Sequence, residues 1–380
     1  MKVTVAIDSL KGSLSSMEAG YAISEGITRV YPDAETIVRP LADGGEGTVE
    51  ALVAGMDGVY RTVTVTGPLG ELVEAKYGVI EETKTAIMDM SQAAGITLVP
   101  IEKRNPLYTT TYGVGEMIQD AMEQGCRRFI VGIGGSATND GGVGMLQALG
   151  FQFLNGEGDS IADGARGLKE LHKISGENVH PLLAECEFHI ACDVTNPLCG
   201  ERGCSAVFGP QKGATPEMVE EMDEWLLNYA TLACEQYPKA NPVYPGTGAA
   251  GGLGFAFLTF TNAVLESGVK LVLEETRLRD YVKDADIVIT GEGRLDEQTA
   301  MGKAPSGVAK LAKEYGKPVL AFAGAVTKDA VVCNENGIDA FFPILRSVVT
   351  LEEAMDSEKA AKNMADTVEQ VFRVIQMMKK

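Results

Sequence analysis

Glycine-rich polar loops follow short apolar runs along the whole 380-residue chain. Ser9-Leu10-Lys11-Gly12-Ser13 sets an amine among hydroxyls, and Asp43-Gly44-Gly45-Glu46 sets two carboxylates around a glycine pair. Gly132-Ile133-Gly134-Gly135-Ser136-Ala137-Thr138-Asn139-Asp140, Gly246-Thr247-Gly248-Ala249-Ala250-Gly251-Gly252 and Gly291-Glu292-Gly293-Arg294-Leu295-Asp296 repeat the theme. Glycine lets backbone N–H groups close on an anion, and a following helix adds the positive end of its dipole. Hydroxyls and carboxylates beside such amides suit phosphate and Mg²⁺. Several of these loops in one chain point to an enzyme handling phosphate-bearing small molecules.

Each candidate has a specific chemistry and a structural alternative. Lys11, with Ser9 beside it, ends the first strand-like run and could hold a carboxylate or a phosphate; the alternative is a capped turn. Asp43 and Glu46 suit Mg²⁺ or proton removal from a hydroxyl, or equally an acidic helix start. Arg104, followed by Asn105 and a run of threonines, could clamp a carboxylate with two bonds. Asp193, after the apolar Phe188–Ala191 run, is placed as a general base, although a strand-end Asp also caps loops. Gly132-x-Gly134-x-x-Ala137 matches a dinucleotide fingerprint on paper, but a lone match recurs by chance and the first strand lacks one. No G-x-x-x-x-G-K-[ST] occurs, which excludes a P-loop NTPase, and the protein-kinase signatures are absent too.

Composition narrows the partners. Lys and Arg total 33 against 53 Asp and Glu, a formal charge of −20. Such a surface argues against nucleic acid and anionic membrane as partners, and an anionic substrate would need the local cations named above. Seven cysteines without a C-x-x-C pair read as reduced thiols, and Cys186–Cys204 with His189 fits no common zinc spacing. Only His172, His180 and His189 are available to a hydrolase triad. The Met-Lys-Val-Thr-Val start reads as a strand rather than an export signal, so a cytoplasmic protein is expected. Homo-oligomerisation is left open.

The elements that must position these loops alternate. Val3–Ile7, a helix from Ser13 to Val30 capped at Ser15 or Ser16, Thr36–Val38 and a helix over 45–54 give a β-α-β-α opening. Arg61–Thr66 and Val73–Val79 alternate around Gly67-Pro68-Leu69-Gly70, predicting an antiparallel hairpin. Helices are predicted at Thr111–Gln124, Asp140–Leu149 and Ala214–Gln236, and strands at Thr85–Met90, Phe129–Ile133 and Phe188–Ala191. From Asp286 the opening texture returns: strands Asp286–Thr290, Pro318–Ala323 and Phe341–Leu345, and helices Lys303–Tyr315 and Lys359–Met378. The expected fold is α/β. Both chain ends, 1–65 and 275–380, would build a doubly wound parallel-sheet domain, with a mixed α/β domain, 66–274, inserted and the active site in the cleft between them.

Taken in order, Asp8–Ser16, Pro40–Thr48, Asn105–Gly115, Gly132–Gly150, Ala191–Gly200, Phe208–Gly213, Gly246–Gly254 and Thr290–Pro305 resemble the bacterial glycerate kinase family, with Leu10 where that family usually has Phe. The resemblance implies ATP-dependent phosphorylation of glycerate with Mg²⁺ and two α/β domains, and 2-phosphoglycerate in preference to 3-phosphoglycerate. On that footing Gly134, Gly135, Ser136, Thr138, Asn139, Asp140, Gly251, Gly252, Gly291 and Gly293 are expected to bind the nucleotide. Ser9, Lys11, Arg104 and Asn105 would face glycerate, and Lys11 and Arg104 could instead face the transferring phosphoryl group. Asp193 is the expected base with Asp43 second, and Asp43, Glu46 or Asp296 the Mg²⁺ holders. A kinase of another small hydroxy acid, or a non-kinase oxidoreductase or sensor, is the alternative.

Overall fold

The computed structural model describes residues 1–42 and 47–378. The chain runs through β1 (Lys2–Val5) and β2 (Glu35–Val38), then β3 (Val59–Thr66), β4 (Leu72–Ile80), β5 (Thr85–Asp89) and β6 (Arg128–Gly132). β7 (Gln152–Leu154), β8 (Lys173–Ser175), β9 (Glu187–Ala191) and β10 (Ala263–Glu266) follow. β11 (Ile287–Leu295), β12 (Val319–Val326) and β13 (Ala340–Pro343) close the set. Two compact units result: Met1–Asp57 with Gly268–Lys380, and Gly58–Ser267. The boundary lies before β3 rather than at residue 65, because β3 pairs along its whole length with β4.

The first unit carries a parallel five-stranded sheet in the order β13-β12-β11-β1-β2. Its middle strands are apolar on both faces, with Val3, Val5, Val288 and Ile289 fully buried, as a sheet covered by helices requires. The helix Ser16–Thr28 starts from a capping box: Ser15 Oγ accepts from the Glu18 N–H, and the Glu18 carboxylate accepts from the Ser15 N–H at 2.8 Å. Such a cap contributes about 1 kcal/mol. This helix buries Ala19, Ile23 and Ile27 in one core with Met364, Val368 and Phe372 of the C-terminal helix Ser357–Met378.

The second unit's six-stranded sheet runs β10-β9-β6-β5-β4-β3. The β3–β4 and β4–β5 pairs are antiparallel, and β5, β6, β9 and β10 are parallel. Phe129 and Phe188 stack across β6 and β9 with ring centroids 4.8 Å apart. The helix expected over Asp140–Leu149 shortens to Val143–Ala148, since Gly141 and Gly142 have φ of 67° and 74° and lie outside the helical path. No helix among the described residues is long and apolar enough to cross a membrane.

Candidate functional site

In the first unit, β1 and β11 are neighbours from which the chain proceeds in opposite directions, β1 to β2 and β11 to β12 and β13. Such a switch point opens a crevice outside the carboxyl ends of the two strands, where open α/β sheets take ligands. Two of the candidate loops emerge there. The Asp8 N–H donates to Gly291 O at 2.9 Å, tying Asp8–Ser13 to Gly291–Asp296. Ser9 is half-buried and Lys11 exposed. Ser16 Oγ braces the floor, donating to Ile7 O at 2.7 Å and accepting from the Leu41 N–H at 2.9 Å. A cavity of about 120 Å³ opens beside it, lined by Asp8, Ser9, Ser15, Pro40, Gly47 and Glu50 among others. Asp43 and Glu46 lie outside the described residues.

The last residues of β11 and the turn after it hold carboxylates of unequal character. Glu292 is only 8% exposed and accepts from Thr299 Oγ1 at 2.6 Å, with the Lys303 ammonium 3.5 Å away. Burial pushes its carboxyl above the usual range, against the opposing pull of Thr299 and Lys303. Asp296 caps the helix Glu297–Ala300, its Oδ1 accepting from the Gln298 N–H at 3.0 Å and the Thr299 N–H at 3.3 Å. It also stands 3.7 Å from Arg294 and 3.8 Å from Lys303. A carboxylate capping a helix and flanked by two cations is poorly disposed to Mg²⁺. Among the described residues no group of three or more His, Cys, Asp or Glu could hold a metal ion.

In the second unit the strands follow one another across the sheet without a switch, and the candidate loops cluster at the carboxyl edge of β6 and β9. Gly134 and Gly135 are exposed at the end of β6, and Ser136 below them is buried. Ile96 N–H donates to Gly135 O at 2.8 Å, and Ala137 N–H to Ala94 O at 2.9 Å, which fixes the turn. The N–H groups of Gly134, Gly135 and Ser136 meet no acceptor among the described residues. Thr138 and Asn139 are wholly buried.

Asp140 is the post of this loop. One of its oxygens accepts from the Thr111 N–H at 2.8 Å, Thr111 Oγ1 at 2.7 Å and the Gly144 N–H at 3.3 Å, and the other from the Gly142 N–H at 3.1 Å. Burial raises its carboxyl while these donors pull it down. Every bond is internal, so Asp140 shapes the turn rather than facing a ligand. Gly251 and Gly252 are likewise buried: a Cβ on Gly251 would lie 2.1 Å from Thr138 O, and Gly141 N–H donates to Gly251 O at 2.9 Å. These glycines let two loops dock.

The remaining candidates lie around this cluster. Asp193 is exposed in the irregular segment after β9, and that segment reaches the glycine loop where Gly248 N–H donates to Asn196 O at 2.9 Å. Arg104 is half-buried, and a Cβ on Gly213 would come within 2.1 Å of Arg104 O. Asn105 Oδ1 accepts from the Leu107 N–H at 3.0 Å and so forms its own turn.

Two residues that the sequence reading passed over are central. Lys212, beside Gly213, is 2% exposed and donates to Ser136 Oγ at 2.7 Å and to Thr138 O at 2.6 Å. Burial lowers its ammonium to about 8, against the attraction of Cys204 and Asp140. The only signal for it was its place in the Phe208–Gly213 segment, where a lysine between Gln and Gly reads as a solvated turn. Glu292 stood out only as one of several charges in a glycine-rich stretch after a buried strand, with no role of its own. His189 Nδ1 lies 2.8 Å from a Glu266 carboxylate oxygen.

Comparison with known proteins extends the likeness over the whole chain. Residues 3–376 match the glycerate kinase family. A glycerate kinase of Halalkalibacterium halodurans is 48% identical over 368 residues, covering 96% of this chain and 97% of that protein. A glycerate 2-kinase of Escherichia coli is 46% identical over 373 residues, covering 97% and 98%. A solved crystal structure, described provisionally as glycerate kinase 2 of Salmonella typhimurium LT2, superposes with a TM-score of 0.92 at 45% identity, covering 100% of this chain and 99% of its own. With sequence and fold matched from end to end, the chain belongs to the glycerate kinase family.

Proposed function

We propose that the protein transfers the γ-phosphoryl group of ATP to D-glycerate, at the 2-hydroxyl in preference to the 3-hydroxyl. The observation that carries this reading is the full-length relationship to proteins named glycerate kinase, one of them a glycerate 2-kinase. Phosphoryl transfer asks a protein chiefly to position reactants and to neutralise charge, and the loops supply both. The Gly134-Gly135-Ser136 turn takes nucleotide phosphate on its exposed amides, with Thr138, Asn139, Asp140, Gly251 and Gly252 holding it in shape. Gly291 and Gly293 play the same supporting part where β11 ends. Ser9, Lys11, Arg104 and Asn105 serve the glycerate carboxylate, and Lys11 is also suited to the transferring group.

Asp193 is the base for the hydroxyl proton, with Asp43 second. Exposure keeps Asp193 accessible to a substrate hydroxyl, which Asp140 is not. Mg²⁺ enters as counter-ion to the nucleotide phosphates; it is commonly held by one or two carboxylates with the phosphates themselves. Asp296 does not fit that part, which leaves Asp43 and Glu46 as the protein donors in this reading.

The deciding experiment supplies ATP, Mg²⁺ and D-glycerate and couples the product through enolase without a mutase. Immediate phosphoenolpyruvate is expected. ADP without phosphoenolpyruvate would move transfer to the 3-hydroxyl, and no ADP would refute the reading. Asp193→Asn is expected to lose turnover with ATP binding retained, and a near wild-type rate would remove Asp193 from the base role.

A further inference from the structure

Beneath the Gly134-Gly135 turn lies a buried cation without a carboxylate partner. Lys212 makes no ion pair with any described residue, and of the three donors on an ammonium only two find acceptors, Ser136 Oγ and Thr138 O. The titratable groups that face it are Asp140 and Cys204. The Asp140 carboxylate attracts the ammonium from a distance but makes its hydrogen bonds to Thr111, Gly142 and Gly144 rather than to Lys212, and burial pushes the Cys204 thiol up to about 12, so it stays neutral at pH 7. Close by, the buried Thr138 Oγ1 and Asn139 Oδ1 have no partner among the described residues.

An ammonium only donates, so Ser136 Oγ must accept from it, and the Ser136 proton has no acceptor among the described residues. The turn thus presents an O–H and the Gly134, Gly135 and Ser136 N–H groups, all donors without acceptors among the described residues, above a buried ammonium that no described carboxylate contacts in an ion pair.

We infer that Lys212 is a positioning residue for a nucleotide phosphate on this turn: it holds Ser136 Oγ from below so that the hydroxyl donates outward, and its ammonium adds positive charge beneath the phosphate. The inference rests on the reading of this turn as the nucleotide-phosphate site. Lys212 itself stays under the turn and acts through Ser136.

The test is calorimetric binding of ATP to the full chain without glycerate, at pH 7.0 and pH 9.5, for the wild type, Lys212→Met, Lys212→Arg and Ser136→Ala. Charge-assisted bonds of this kind set the expected scale at about tenfold per variant. Lys212→Met and Ser136→Ala should each weaken ATP about tenfold at pH 7.0. The wild type should weaken on going to pH 9.5, as the ammonium loses its proton. Lys212→Arg, which stays charged, should show no such step, and Lys212→Met should not either. If Ser136→Ala weakens ATP while Lys212→Met matches the wild type at both values, the inference falls and the nucleotide reading stands. If both variants bind as the wild type does, the turn is not the nucleotide site and both fall. Should Lys212→Met fail to fold, the wild-type profile decides: a flat response between the two pH values overturns the inference, and a step that shrinks in Ser136→Ala supports it.

Discussion

The Lys212 ammonium donates to Ser136 Oγ at 2.7 Å, joining a residue that is 2% exposed to one that is 7% exposed. A charge-assisted bond between two buried groups ties the Gly134–Ser136 turn to the segment just ahead of Gly213, and both the stability and the titration of the unit should register it.

The first prediction concerns that titration. Burial sets the folded-state value of Lys212 near 8, below the ordinary lysine value of 10.5. Below pH 8 both folded and unfolded chains carry the proton, and the folded chain bears the burial cost. As pH rises from 8 towards 10.5 the folded chain releases its proton while the unfolded chain keeps it, so stability rises with pH. Urea unfolding of wild type against Lys212→Met should therefore show the wild type gaining on the variant between pH 8 and 10, on the order of 2 kcal/mol. A difference that is constant over this range would contradict the assignment.

Asp140→Asn tests the post of the loop. The carboxylate accepts from Thr111, Gly142 and Gly144 on both oxygens, and the amide would turn an N–H₂ towards one of those donors. The loss should be about 2–4 kcal/mol in urea unfolding, as expected for a buried, charge-assisted set left partly unsatisfied. A variant as stable as wild type would show that the loop does not depend on this carboxylate.

Gly291→Ala tests the close approach of β11 to β12. Gly291 has a φ of 155°, and an added Cβ would sit 1.8 Å from Phe322 O, a backbone atom that cannot swing away. Overpacking at such a site should remove about 3 kcal/mol. Gly156→Ala, where the added carbon meets nothing within 4 Å, serves as the control and should change stability little. Equal thermal midpoints for the two variants would refute the argument.

Thr299→Val removes the hydroxyl that donates to Glu292 at 2.6 Å. The Glu292 carboxyl is raised above its ordinary 4.5 by burial, so the folded chain holds its proton to a higher pH than the unfolded chain does. That group's contribution to stability falls as pH rises from 4.5 through the raised folded value, and is level above it. Losing a donor to the ionised form extends this fall. The hydroxyl also accepts from the Asp296 N–H at 3.1 Å, so the variant should trail the wild type at every pH, by about 1–2 kcal/mol more at pH 7 than at pH 4. A deficit independent of pH would leave Thr299 only its capping bond to Asp296 and its packing.

Strands and their loops were readable because burial imposes a period on the chain. Val3–Ile7, Arg61–Thr66 with Val73–Val79, and Phe129–Ile133 all mark strands that the structure contains at nearly those bounds. The cap at Ser15 was readable because Ser-x-x-Glu is a local device. The helix at Asp140 was not, since the choice of Gly141 and Gly142 for left-handed backbone depends on docking against Gly251 and Gly252.

The sequence by itself determined the α/β alternation, the glycine loops at strand ends and the family to which the chain belongs, because these rest on local periodicity, turn chemistry and ordered motifs. Tertiary structure alone decided which polar residues face outward and which are enclosed. Asp140 and Asp193 both follow strands, yet one is sealed among N–H donors and the other lies exposed. Lys212 looks solvated in its own segment and becomes a buried cation only when that segment packs beneath the turn at the end of β6. Burial is a property of what covers a side chain, and the covering groups come from residues far away in the chain.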